Sequence, residues 1–167
     1  MKPEEKEFLE RIEQHKGMLF KLSKIYQQNP ENQKDLFQDM VVQLWRSYDS
    51  FRSESQFSTW MYRVCLNTAL SFYKKEKKKF KTSDIQNIEI KDDTDETHKK
   101  ENQLHYFYQA VQELNDIEKA LIFLLLEGVP QAEIAQNLGI SEGNTRVKIN
   151  RTKEKLQQII KKLGYEF

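Results

Sequence analysis

At 167 residues the chain is long enough for one compact domain or two small ones. Its 38% hydrophobic and 32% charged content fits packed helices and excludes the low-hydrophobicity regime of disordered chains. A net charge of +1 neither favours nor opposes nucleic acid, so the distribution of charge has to decide. Five glycines, three prolines and few runs of β-branched residues predict an all-α protein. The one cysteine, Cys65, excludes an intramolecular disulfide and suits a reducing compartment. The N-terminus, from Met1 to Glu5, is charged and has no apolar signal core. The longest apolar run, Ala120 to Leu126, falls far short of the roughly 20 residues of a membrane span, so a cytoplasmic protein with no direct membrane insertion is expected.

The first helical stretch runs from about Glu4 to Gln28, with Phe8, Ile12, Leu19, Leu22 and Tyr26 on one face. Asn29-Pro30 ends it, because a residue before proline is pushed out of the α region. The second runs from about Gln33 to Tyr48, with Phe37, Met40, Val41, Leu44 and Tyr48 as its buried stripe. Asp35, Gln38, Asp39, Val42 and Trp45 lie off that stripe. A tryptophan beside paired acids fits either a contact surface or a ring folded back into the core, and the sequence leaves both open. The third runs from about Gln56 to Lys79, aromatic at its start and lysine-rich at its end. From Thr82 to Asn102, acidic residues without hydrophobic periodicity predict a flexible acidic linker. A second helical unit follows. Leu104, Phe107, Val111 and Leu114 mark one helix, Asp116 can cap the next, and Gly128 closes it. The expected layout is therefore a domain at 1–81, a linker at 82–103 and a domain at 104–167.

The segment from Gln131 to Arg151 has the physical requirements of a helix-turn-helix. Ala135 is small enough for a close crossing, Gly139 permits a left-handed turn residue, and Ser141 is a good N-cap. Pro130 sits where a first helical turn tolerates proline. Ile134, Leu138 and Ile140 would lock the two helices together. Thr145, Ile149, Thr152, Leu156, Ile160 and Leu163 step by four and three and should face inward. The outward face then carries Arg146, Val147, Asn150 and Arg151, with Lys148, Lys153 and Lys155 flanking it. Such a face fits a major groove, its N-terminal residues reaching bases and its lysines reaching phosphates. Asn144 is a further candidate for phosphate.

Earlier in the chain, Phe57, Trp60, Tyr62, Phe72 and Tyr73 lie in or near a helix that becomes strongly basic. Aromatics interleaved with cations suit single-stranded nucleic acid, where bases stack on rings for roughly 1–3 kcal/mol each. Some of these rings must be core, since Phe57, Met61 and Val64 form an apolar stripe of their own.

Asp35-Leu36-Phe37-Gln38-Asp39-Met40-Val41-Val42-Gln43-Leu44-Trp45 resembles the second conserved region of bacterial sigma factors. So does Phe57-Ser58-Thr59-Trp60-Met61-Tyr62-Arg63 followed by Asn67-Thr68-Ala69, while the helix-turn-helix resembles their fourth region. Order, spacing and acidic linker together resemble the extracytoplasmic-function (ECF) group of the sigma-70 family, over nearly the whole chain. The resemblance implies a promoter-recognition subunit that docks on core RNA polymerase, at the β′ clamp helices and the β flap. It assigns clamp docking to Asp35, Gln38, Asp39, Val42 and Trp45. It assigns recognition and melting of the -10 element to the loop from Phe51 to Phe57 and to Phe57, Ser58, Trp60, Tyr62, Arg63, Asn67, Tyr73, Lys74 and Lys75. Arg146, Val147, Lys148, Asn150 and Arg151 would face the -35 element. An anti-sigma factor is the implied regulatory partner, and the linker would thread toward the active-site and RNA-exit channels.

The family commonly reads Gly-Thr-Val after the cap of the recognition helix, whereas this chain reads Gly143-Asn144-Thr145-Arg146-Val147-Lys148, so base preference does not transfer. Val147 offers only apolar contact, which suits a thymine methyl. The competing reading is a stand-alone helix-turn-helix regulator binding an operator without polymerase. An enzyme is disfavoured: His15, His98 and His105 stand in unrelated contexts, and there is no phosphate-binding glycine loop or metal-ligand cluster, so no cofactor or metal is expected.

Overall fold

The structure is a computed structural model and describes residues 1–51, 56–79 and 96–164. Among the described residues there are eight α-helices and no strand. They are α1 (Pro3–Gln14), α2 (Lys16–Tyr26), α3 (Pro30–Ser47), α4 (Phe57–Lys79), α5 (Glu96–Val111), α6 (Asp116–Leu126), α7 (Gln131–Leu138) and α8 (Glu142–Lys162). The chain divides into two compact units, Met1–Glu76 and Lys77–Phe167.

In the first unit the single helix expected over 4–28 is two helices. His15 breaks it with φ −107° and ψ 10°, and its ring Nδ1 lies 2.8 Å from the Arg11 carbonyl oxygen. Asn29-Pro30 does more than end a helix. Gln27 and Asn29 are extended, and Asn29 Oδ1 accepts from the Glu31 amide at 2.8 Å. Pro30 is thus the first residue of α3, three residues ahead of the expected start, at the position where its missing N–H costs nothing. Phe8, Leu19, Leu22, Ile25, Leu36, Met40, Leu44, Met61, Cys65 and Ala69 form the core. Leu36 replaces Phe37 on the buried stripe of α3, and Phe37, Val41 and Tyr48 are only half-buried.

In the second unit α8 packs against α5, α6 and α7. The α6 cap is Asn115 instead of Asp116. Asn115 Oδ1 accepts from the Glu118 amide at 2.9 Å, and a Glu118 carboxylate oxygen accepts from the Asn115 amide at 3.0 Å. This reciprocal pair satisfies two orphan donors at the helix start. Helix α6 is buried along most of its length, from Lys119 to Leu124, as its apolar run requires. Pro130 sits just outside α7, as its N-cap, one residue before the expected place in the first turn. Helix α5 begins at Glu96, inside the segment expected to be linker, so 96–103 is helical. The remainder of that expected linker, 82–95, lies outside the described residues.

Candidate functional site

The turn between α7 and α8 is three residues long, Gly139-Ile140-Ser141. Gly139 has φ +67° and ψ 33°, the left-handed conformation that costs an L side chain about 1–2 kcal/mol. The Ile140 amide donates to the Ala135 carbonyl at 3.1 Å, closing α7. Ser141 Oγ accepts from the Asn144 amide at 3.1 Å, and Thr145 Oγ1 donates to the Ser141 carbonyl at 2.8 Å. Gln131 Nε2 donates to the Glu142 carbonyl at 3.2 Å, tying the start of α7 to the start of α8. Ile134 and Ala135 are buried at the crossing.

This frame fixes the rotation of α8. Thr145, Ile149, Thr152, Leu156 and Ile160 are buried as expected, joined by Ile159, and Leu163 is half-buried. Arg146, Val147, Asn150 and Arg151 are exposed on the opposite side. Val147 is an apolar side chain 44% open to solvent among cations, a position without a packing reason. Lys153 is exposed on the same face, seven residues beyond Arg146, and Asn144 is exposed at the N-terminal end. Lys148 is half-buried and, with Arg151, lines a recess of about 230 Å³ beside Asn115, Ile117, Glu118 and Leu121. Lys155 is held elsewhere: its Nζ lies 3.0 and 3.2 Å from the two Glu118 carboxylate oxygens. Glu118 therefore both caps α6 and fastens α8 to it, a tie that spacing alone did not suggest.

On α3, Asp35, Gln38, Val42 and Trp45 are exposed and Asp39 is half-buried. At 1.5 Å per residue they make an outward face about 15 Å long. Trp45 is partly packed and partly open. Its ring packs 5.0 Å from Phe8 and 6.3 Å from Tyr48, while 42% of the residue stays exposed.

Helix α4 separates the residues proposed to meet nucleic acid. Arg63, Asn67 and Lys74 are exposed and recur at four- and seven-residue steps, so they share one face about 16 Å long, with Lys75 beside it. Ser58 and Tyr62 are half-buried. Phe57 and Trp60 are half-buried in an aromatic cluster with Tyr48 and Phe51, at ring separations of 5.3 to 6.5 Å. The Arg11 guanidinium lies 4.7 Å from the Phe57 ring centroid and 5.8 Å from that of Phe51. The sequence marked Trp60 and the loop from Phe51 to Phe57, of which 52–55 lies outside the described residues, but gave no sign of Arg11 as their partner. The side chain of Tyr73 lies outside the described residues.

Cys65, at the centre of the first unit, is fully buried, and burial pushes its thiol far above the ordinary range. It is a packing residue and no nucleophile. Among the described residues, no group of three or more His, Cys, Asp or Glu side chains could hold a metal, and no helix is long and apolar enough to cross a membrane.

Two family models match, each falling on one of the two helical regions just described. Sigma-70 region 2 matches residues 11–79, and Sigma-70 region 4 matches residues 104–156. The chain belongs to the sigma-70 family, in its ECF group. It is 27% identical to RNA polymerase sigma factor SigV of Bacillus subtilis, over 84% of this chain and 82% of that one. It is 26% identical to the ECF RNA polymerase sigma-E factor of Haemophilus influenzae, over 77% of this chain and 75% of that one. Two solved structures share the fold. One is the sigma factor RpoE crystallised with the anti-sigma factor NepR from Bartonella quintana, with TM-score 0.73, 18% identity and coverage of 93% of this chain and 98% of that one. The other is CnrH in complex with the cytosolic domain of CnrY, with TM-score 0.68, 20% identity and coverage of 94% and 89%. As a sigma factor, the chain directs RNA polymerase to start transcription at promoters. Its region 2 holds α3 and α4, and its region 4 holds the helix-turn-helix.

Proposed function

We propose how this sigma factor divides the work of initiation among its surfaces. The open face of α3, Asp35, Gln38, Asp39, Val42 and Trp45, docks on the clamp helices of the polymerase β′ subunit. Acids around a half-open indole supply a polar rim and an aromatic anchor, the usual anatomy of a binding hot spot. The recognition helix α8 enters the major groove of the -35 element. Arg146, Val147, Asn150 and Arg151 face base edges, Lys148 lies at the groove wall, and Lys153 and Asn144 reach phosphates. Lys155 contributes less than spacing suggests, because Glu118 already neutralises it. In α4 the stripe Arg63, Asn67, Lys74 and Lys75 follows the strand of the -10 element. Ser58 and Tyr62, with the cluster around Phe57 and Trp60, sit where the strand separates. The chain carries out no chemistry itself, works in the cytoplasm, and is held in check by an anti-sigma factor, the kind of partner with which RpoE of Bartonella quintana was crystallised.

The observation that carries this reading is the phase of α8. Its buried stripe fits the protein core, while Arg146, Val147, Asn150 and Arg151, among its exposed positions, supply two arginines, an asparagine and an otherwise unexplained valine.

The test compares two pairs of variants in holoenzyme assays. Arg146→Ala and Arg151→Ala should each weaken -35 binding by about 1–3 kcal/mol while leaving core binding intact. Asp39→Ala and Trp45→Ala should weaken core binding while leaving α8 competent. The same defect from both pairs would sink the division of labour. Tight operator binding by the free chain, with no gain from core polymerase, would favour a stand-alone regulator instead.

A further inference from the structure

Phe51 lies a few residues after the end of α3, and Phe57 is the first residue of α4. Their rings meet edge-on at 5.6 Å, and each also meets Trp60, at 5.3 and 5.5 Å. Tyr48 closes the group from the end of α3, 6.3 Å from Trp60 and 6.5 Å from Phe57. The residues after α3 and the start of α4 are therefore joined by aromatic contacts, whose preferred geometries are edge-to-face and offset.

One cation lies across this junction. Arg11 of α1 places its guanidinium over the Phe51 and Phe57 rings, while its Nη2 bonds Glu7 Oε1 at 2.7 Å. The Glu7 bond is an exposed pair within α1, weak beside the two ring contacts. His15, four residues on, brings its own ring within 5.5 Å of Phe57. A base stacking on Phe57 would have to share that ring with Arg11. The ring is better suited to shaping the junction than to serving as an open stacking platform.

We infer that Arg11 is a positioning residue for promoter opening: from α1 it holds Phe51 and Phe57 in the arrangement that captures an unpaired base of the -10 strand. This inference rests on the reading of α4 given above. It brings α1 into the -10 machinery through the rings it supports. The attraction between a guanidinium and aromatic faces depends on positive charge, so substitutions can isolate it.

The test uses full-length chain assembled with core polymerase. The probe is a single strand carrying the -10 element of a promoter mapped from the chain's own transcription starts, with 2-aminopurine at the position that unpairs. Arg11→Met should reduce binding of this strand, and the accompanying fluorescence rise, by roughly twofold to thirtyfold, the span of partly exposed to desolvated cation–ring contacts. Arg11→Lys should recover part of the loss, since charge remains. Glu7→Gln should lose little, since the guanidinium stays over the rings. Affinity for core, and for a duplex carrying only the -35 element, should stay within about twofold in every variant, a smaller change than that expected from losing the cation–ring contact. Unchanged strand binding by Arg11→Met would overturn the inference. So would an equal loss in all three assays, which would mean a merely structural role, or a Glu7→Gln defect as large as that of Arg11→Met. If wild-type holoenzyme bound the strand no better than core alone, the reading of α4 would fall and the inference with it. A binding wild type beside an equally binding Arg11→Met removes the inference alone.

Discussion

Gly139 and Gly143 stand four residues apart in the helix-turn-helix, and replacing each with alanine should move stability in opposite directions. A Cβ at either position would meet nothing within 4 Å, so packing is silent in both cases and the backbone decides. Gly139 has φ +67°, where alanine costs about 1–2 kcal/mol. Gly143 lies in the first turn of α8, where alanine gains about 0.5–1 kcal/mol by restricting the unfolded chain. The two variants should therefore differ by about 1.5–3 kcal/mol. Tryptophan fluorescence would miss this, because Trp45 and Trp60 both belong to the first unit. Amide hydrogen exchange across α8 reads the right unit. Each 1.4 kcal/mol is tenfold in an opening equilibrium, so exchange in Gly139→Ala should run roughly ten- to hundredfold faster than in Gly143→Ala. The wild type should fall between them. Faster exchange in Gly143→Ala, or no change in Gly139→Ala, would show that the turn does not need its left-handed residue.

Three further outcomes are expected. The Cys65 thiol is raised by burial, so above the ordinary thiol range the unfolded chain loses a proton that the native state keeps. Stability should then fall with rising pH by up to about 1.4 kcal/mol per unit above pH ~8.5, and denaturant titrations of Cys65→Ala should lack that slope. Asn115→Ala removes the cap of α6 and should cost about 1 kcal/mol, visible as faster exchange in α6, whereas Asp116→Ala should cost much less. In salt titrations of -35 binding, Lys153→Ala should reduce the slope of log affinity on log salt by about one, and Lys155→Ala by clearly less. Equal slopes would mean that Glu118 releases Lys155 on the DNA.

The recognition helix could be phased from sequence because its determinants are local. A 3.6-residue period, a turn glycine and a serine cap all lie within one stretch, and Thr145, Ile149, Thr152, Leu156 and Ile160 are buried as the period requires. The outward face of α3 was legible for the same reason. Other features depend on choices that periodicity does not make. The apolar period runs through His15 almost unbroken, so two helices read as one. Asn115 and Asp116 are both capable caps, and only the reciprocal bond to Glu118 selects the first, although the Asn-x-x-Glu spacing was there to be seen. Contacts distant in sequence were invisible. Arg11 over Phe57, and Lys155 on Glu118, join residues about forty positions apart, and single-sequence patterns carry no such pairing.

Helix α8 is at once the reader of the promoter and the staff around which the second unit is built. These duties fall on different sides of one cylinder. The inward side is fixed by packing, while substitutions at exposed positions such as Arg146, Val147, Asn150 and Arg151 usually stay within about 0.5 kcal/mol of neutral. With those positions reading bases as proposed, a gene copy can exchange them one at a time and acquire a new set of promoters without passing through an unfolded ancestor. Divergence in what such proteins recognise is cheap because it is orthogonal to how they fold.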